Sequence, residues 1–189
     1  MNNLGFIISV LFIASCTPSH GEVVPWERLL NDPTEKNFRL AENIISGGGS
    51  CNNEWYSKPE YSEYLNSLFK MIGQGNEYSF NIGLLILDCL DGGNLGDAYR
   101  SIGLFFDSSP FYFSKVISDK TVSDVKLKSM LVMLPLDTAD NIPKKIGLLA
   151  YRIRTLSSLE DRIAEAFYLK MLSILTKELK FYQQLNNKN

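Results

Sequence analysis

Between Tyr61 and Ile72 the apolar residues recur at helical spacing and at no other. Tyr61, Tyr64, Leu65, Leu68, Phe69 and Ile72 share one face, while Lys58, Glu60, Glu63, Asn66 and Lys70 fall elsewhere. Ser57-Lys58-Pro59-Glu60 ahead of them carries the residues of a helix start, and Gly73 and Gly75 supply the stop. This order of cap, apolar stripe and glycine recurs down the chain. No stretch alternates apolar and polar residues as a half-buried strand requires. The pattern predicts an all-α fold.

Asp32-Pro33-Thr34-Glu35 places Asp at an N-cap, Pro at the first helical position and Glu at the third. The helix it opens carries Phe38, Leu40, Ala41, Ile44 and Ile45 and ends at Gly47-Gly48-Gly49. Val23–Leu30 ahead of it reads as a short apolar lead-in, with Trp26 packing back onto the body. Asn76 caps a third helix whose Phe80, Ile82, Leu84–Leu87, Cys89 and Leu90 are apolar nearly all round. A buried strand competes over Leu84–Leu87; the length of the run favours a helix of about 14 residues. A fourth helix from Asn94 turns Tyr99, Ile102, Phe105 and Phe106 inward, and Ser109-Pro110 restarts a short aromatic one with Phe111, Tyr112 and Phe113. Thr121–Asp124 opens a sixth, carrying Val125, Leu127, Met130, Leu131 and Leu134 up to Pro135. Ile142–Thr155 has Ile146, Leu149, Ala150 and Ile153 on one face and Lys144, Lys145, Arg152 and Arg154 around it. Ser157–Glu160 is read as the cap of a last helix of about 25 residues ending near Leu185.

About seven or eight helices joined by short loops predict one irregular bundle, or a short α-solenoid-like stack, over residues 32–185. Residues 186–189 read as a frayed tail. Ile82-Gly-Leu-Leu, Ile102-Gly-Leu-Phe and Ile146-Gly-Leu-Leu each put a small residue inside a helix, where it permits close packing. This recurrence weakly resembles HEAT-like helical repeats, a class whose role is scaffolding rather than chemistry. The spacings are unequal, so the bundle stands beside it as an alternative.

Among 189 residues, 45% are apolar and 21% charged, an ordinary globular composition with ample core. Nineteen basic against 21 acidic residues give a formal net charge of −2, with the signs mixed along the chain. Such a balance generates no field that favours nucleic acid. The N-terminus departs from this composition. Leu4–Ser15 is an uncharged apolar run of signal-peptide length, too short to span a bilayer as a helix. It closes on Leu11-Phe12-Ile13-Ala14-Ser15-Cys16, two small residues ahead of a cysteine.

Those residues resemble the lipobox of bacterial lipoproteins, in which a signal peptidase cuts before a cysteine that carries lipid. The resemblance covers residues 1–16 only and specifies targeting. It implies removal of residues 1–15, lipid attachment (palmitate among the acyl groups) at Cys16, and a lipid-anchored tether and lead-in over residues 16–31. Met1-Asn2-Asn3 carries no Lys or Arg, a departure from the basic start such signals usually have. Acyl chains contribute about 0.8 kcal/mol per buried methylene, so several together hold a protein firmly to a membrane. Thr17 occupies the place where an Asp often marks inner-membrane retention. The resemblance thus implies a cell-envelope protein anchored in the outer membrane and facing the periplasm.

With Cys16 taken by lipid, Cys51 and Cys89 remain as an even pair in an oxidising compartment. Cys51 lies in the Gly-rich Ser46–Asn53 loop and Cys89 at the end of the apolar helix. A disulfide between them stabilises by about 4 kcal/mol in the loop-entropy model. Two free thiols, with Cys89 as a small core residue, are the alternative. Neither has a histidine nearby to complete a zinc shell, so no metal site is expected.

Chemistry-bearing motifs are scarce. The single histidine, His20, falls in the tether, where no fixed geometry holds a general base. There is no HExxH pair, phosphate loop or dinucleotide fingerprint, so no cofactor is expected. Paired carboxylates remain an option for a cell-wall hydrolase. Asp88, near the end of the apolar helix, is the acid to watch, with Asp91 and Asp97 close in sequence. Trp55 and Tyr56 lie outside the predicted helices and form the candidate partner contact, since aromatic residues anchor interfaces. The sequence therefore favours a non-enzymatic protein-binding module: an inhibitor or immunity protein, an assembly factor or an adaptor. A carboxylate hydrolase and a purely structural envelope protein are its rivals.

Overall fold

In the computed structural model, the structure describes residues 24–47, 55, 57–120 and 122–188. The expected signal segment, Cys16, His20, Cys51 and Tyr56 lie outside the described residues. Among those described, 79% are helical and none is in a strand. The protein is all-α, and Leu84–Leu87 is helical rather than a strand.

The elements follow the predicted order. They are α1 (Glu27–Asn31), α2 (Glu35–Gly47), α3 (Tyr61–Gly73), α4 (Glu77–Ile86), α5 (Gly92–Ser108), α6 (Pro110–Ser118), α7 (Asp124–Val132), α8 (Ile142–Ser157) and α9 (Glu165–Asn186). Short 3₁₀ turns cover Leu87–Cys89, Leu136–Thr138 and Glu160–Arg162. Helices α3, α5, α7 and α9 pack as a row, each on the next, with α4 and α6 filling against α5 and α8 lying along α9. At the other end α1 and α2 close the row against α3 and α4.

Several starts are set as read. The Asn76 side chain accepts from Ser79 N at 2.9 Å and opens α4. Ser123 accepts from Lys126 N at 3.3 Å and opens α7. Three starts shift. Asp32 stands at the end of α1, its N–H on the Arg28 carbonyl, and its carboxylate accepts from Asn37 at 3.0 Å. Helix α2 begins at Glu35, with the Thr34 carbonyl taking its first hydrogen bond from Phe38 N. Helix α3 begins at Tyr61, one turn later than a Ser57 cap implies, after the turn at residues 57–60.

The third shift concerns Ser157–Glu160, which caps nothing. Ser157 Oγ donates back to the Ile153 carbonyl at 3.0 Å and Ser158 Oγ to the Thr155 carbonyl at 2.7 Å. Hydroxyls bonded to the preceding turn satisfy carbonyls at a helix end instead of N–H groups at a helix start. So α8 runs on through Ser157, and the last helix begins at Glu165 and spans 22 residues rather than 25.

The core is aromatic at its centre. Phe80 of α4 stacks on Phe105 of α5 with ring centroids 4.0 Å apart and planes 5° from parallel. Phe106 meets Phe113 of α6 edge-on at 5.2 Å. Trp26 is wholly buried against α3, edge-on to both Tyr61 and Trp55, as the lead-in reading expected. Two of the three small-residue sites permit close approach. A Cβ on Gly83 would lie 2.6 Å from Ile72 Cδ1, and one on Gly103 would lie 3.0 Å from the Met130 and Met133 carbonyl oxygens. Gly147 faces open space, so the third match has no packing role.

Candidate functional site

Arg152 departs most from the sequence reading. Placed by its charge on the solvated face of α8, it is instead wholly buried. Its Nε and Nη2 each donate to the Asp107 carboxylate at 2.7 Å, and Nη1 donates to the Leu131 carbonyl at 2.6 Å. Tyr151 Oη adds a bond to the Asp107 carbonyl at 3.4 Å. One guanidinium thus ties α5, α7 and α8 together. Gly103 makes room for it, since a Cβ there would stand 3.0 Å from Nη2. The planar fork answers a carboxylate bidentately, the geometry in which a buried cation is tolerated. Every oxygen it meets belongs to the scaffold, so this pair is a joint and offers nothing to a substrate.

The carboxylates weighed for catalysis are not gathered. The Asp88 side chain is 71% exposed and pairs with Lys126 across the α4–α7 gap. Asp97 is engaged by Arg100 at 2.7 Å on the same helix, and Asp91 sits at the start of α5. A carboxylate hydrolase needs two acids converging on one bond, and Asp88 stands in water against a lysine instead. Among the described residues no group of three His, Cys, Asp or Glu side chains is placed to hold a metal ion.

Cys89 is disulfide-bonded. The chain has two other cysteines, Cys16 and Cys51, both outside the described residues. Trp55 is half-buried, its ring centroid 5.9 Å from that of Trp26 in an edge-on contact, and it packs on the core. Part of its indole is engaged within the fold and part is exposed.

Among the described residues, three surface clefts bear on a binding role. One, of about 460 Å³ between α1 and α3, is polar, lined by Glu60, Glu63, Tyr64, Lys70 and Gln74. Tyr64 Oη donates to Glu27 at 3.0 Å beside it, and that bond raises the phenol pKa above its ordinary value. A second, of about 250 Å³ at the Pro135 turn, is flanked by Arg100 and by Lys145, whose ammonium lies 5.0 Å over the Tyr182 ring.

The third is the groove between α7 and α9, of about 540 Å³ and apolar along its floor. Val125 from α7 and Ile174 and Phe181 from α9 line it, with Val125 76% and Phe181 51% exposed. Lys170 pairs with Asp124 at 2.5 Å and Lys128 with Glu178 at 3.4 Å along the rim. Helix α7 buries Leu127, Met130 and Leu131, which leaves Val125 on its opposite side. Helix α9 likewise buries Tyr168, Met171 and Leu175 and turns Ile174 and Phe181 away from them. The sequence reading counted Val125 among the core residues and passed over Phe181. The signal was present in the phase: both fall off the stripe their own helix buries.

No protein-family model, curated protein or solved structure matches this chain. Among the described residues no helix is long and apolar enough to cross a membrane.

Proposed function

We propose that this chain is an envelope lipoprotein, anchored through lipid on Cys16, whose helical body binds another protein rather than catalysing a reaction. The observation that carries the binding role is the α7–α9 groove. Val125 and Phe181 leave apolar surface in water beside a mixed-charge rim, the make-up of a protein contact. Anchorage rests on Leu11–Cys16. The disulfide at Cys89 supports an oxidising compartment, since such bonds persist in the periplasm and outside cells and are rare in the cytosol. With Cys16 acylated, Cys51 is the partner left to Cys89.

Two experiments test this. Cys16→Ser abolishes acylation and releases the protein from membranes; acylation that persists in the variant rejects the anchor. Photo-crosslinking of the intact lipidated protein, with reactive groups on several faces of the body, traps one saturable partner. No saturable adduct from any face rejects the binding role.

A further inference from the structure

The α7–α9 groove limits what can lie in it. Along α9, and in α7 past its first turn, the backbone N–H and C=O groups around it bond within the helix, and no strand edge exists among the described residues. An extended peptide would find no strand-like row of backbone partners there, whereas a helix brings its own hydrogen bonds already made. From Lys170 to Phe181 the lining follows three turns of α9, about 16 Å, enough to seat a helix of similar length.

Charge narrows the class. Three lysines and two carboxylates line the groove. Asp124 is engaged by Lys170 and Glu178 by Lys128. Lys177 stands over the floor with no ion pair among the described residues, and Lys180 is exposed beside it on α9. The groove is therefore apolar at its base and cationic in excess at its α9 rim.

Position argues for a protein rather than a lipid occupant. The tether enters the body at Val24, and α1 packs on α2 and α3 at one end of the helix row. The groove lies at the α9 end of that row, away from the anchored end.

We infer that the groove between α7 and α9 receives an amphipathic helix of another protein, its apolar edge set between Val125 and Phe181 and its acidic flank against Lys177 and Lys180. This rests on the protein-binding reading and names the site and the partner's chemistry.

The probe is a blocked peptide of about 20 residues, long enough to hold a helix. It carries Leu at i, i+3, i+4 and i+7 with Glu on both flanks; its twin has Lys for every Glu. Binding to the full mature protein is read by fluorescence anisotropy. The acidic peptide binds about tenfold more tightly than its twin, and Lys177→Glu or Val125→Asp weakens it about tenfold with the thermal melt unchanged. Equal affinity for the two peptides, binding of neither, or indifference to both substitutions overturns the inference. So does capture of phosphatidylglycerol vesicles by the unlipidated body through the same lysines. The crosslinking experiment separates this failure from that of the broader reading. A saturable partner that stays bound to the Val125→Asp protein discards the groove and keeps protein binding, whereas no saturable adduct with the unsubstituted protein discards both.

Discussion

The joint between α5 and α8 and the groove between α7 and α9 are made of opposite materials. At the joint a charged side chain, Arg152, lies wholly inside and all its contacts come from the same chain. At the groove an apolar side chain, Val125, stands 76% in water with its floor partly uncovered. A buried cation persists only where its hydrogen bonds are answered, and here a carboxylate and a carbonyl answer them. An exposed valine carries no such demand, so fold stability does not require the groove to be filled. The joint is complete within the chain; the groove is left open in water, and the proposed partner is what would cover it.

Breaking the joint gives the largest expected effect. Arg152→Ala leaves Asp107 without its counter-ion and the Leu131 carbonyl without a donor, a loss of about 3–5 kcal/mol read from the urea midpoint. Replacing both Arg152 and Asp107 by Met and Leu removes the charges together and restores most of that loss. If the double variant is no more stable than Arg152→Ala, the geometry of the fork matters more than the unpaired charge.

Crowding the joint comes next. Gly103→Ala sets a methyl 3.0 Å from two backbone carbonyl oxygens and from the Arg152 head, none of which yields freely. The cost is about 1–3 kcal/mol. Gly147→Ala meets open space, replaces a helical glycine and stabilises by about 0.5–1 kcal/mol. Opposite signs at two similar Ile-Gly-Leu sites, measured by thermal melts, sharpen the contrast between interior and surface.

A smaller effect appears at high pH. Burial raises the Tyr99 phenol pKa, with Lys126 lowering it and Asp88 raising it less; burial and then Glu178 raise that of Tyr182. The folded state therefore favours the neutral phenols. Their contribution is fully present below the unfolded value of about 10 and is lost as pH climbs through the raised folded value. Tyr99→Phe flattens the fall in urea midpoint above about pH 10, and an unchanged slope would remove Tyr99 from the account.

The smallest effect on folding belongs to the groove. Val125→Asp changes stability by no more than about 0.5 kcal/mol, because little of Val125 is buried. A larger loss by chemical denaturation would show that Val125 serves the fold and would erase the comparison.

Local rules were legible in residues. The stripe Tyr61–Ile72, the Asn76 cap, the helix opening within 121–124 and the Ser109-Pro110 restart all depend on neighbours within one or two turns. Starts shifted where a residue had two uses. Asp32 ends α1 while α2 waits until Glu35, and Ser157 bonds back rather than forward. The candidate site was legible only in part. Asp88 could be named but not its pairing with Lys126, which lies far along the chain.

The sequence alone determined that this chain would be helical, and its first sixteen residues carry the resemblance to an exported, lipid-bearing protein. The spacing of apolar residues decides a helix because hydrogen bonds and side-chain rows are local. Tertiary structure alone decided that Arg152 lies inside and that Val125 and Phe181 lie outside. Burial depends on which helix comes to lie beside which, and no residue's own chemistry settles that. A charge goes in where Asp107 waits for it, and an apolar face stays out where no other described helix comes to lie over it.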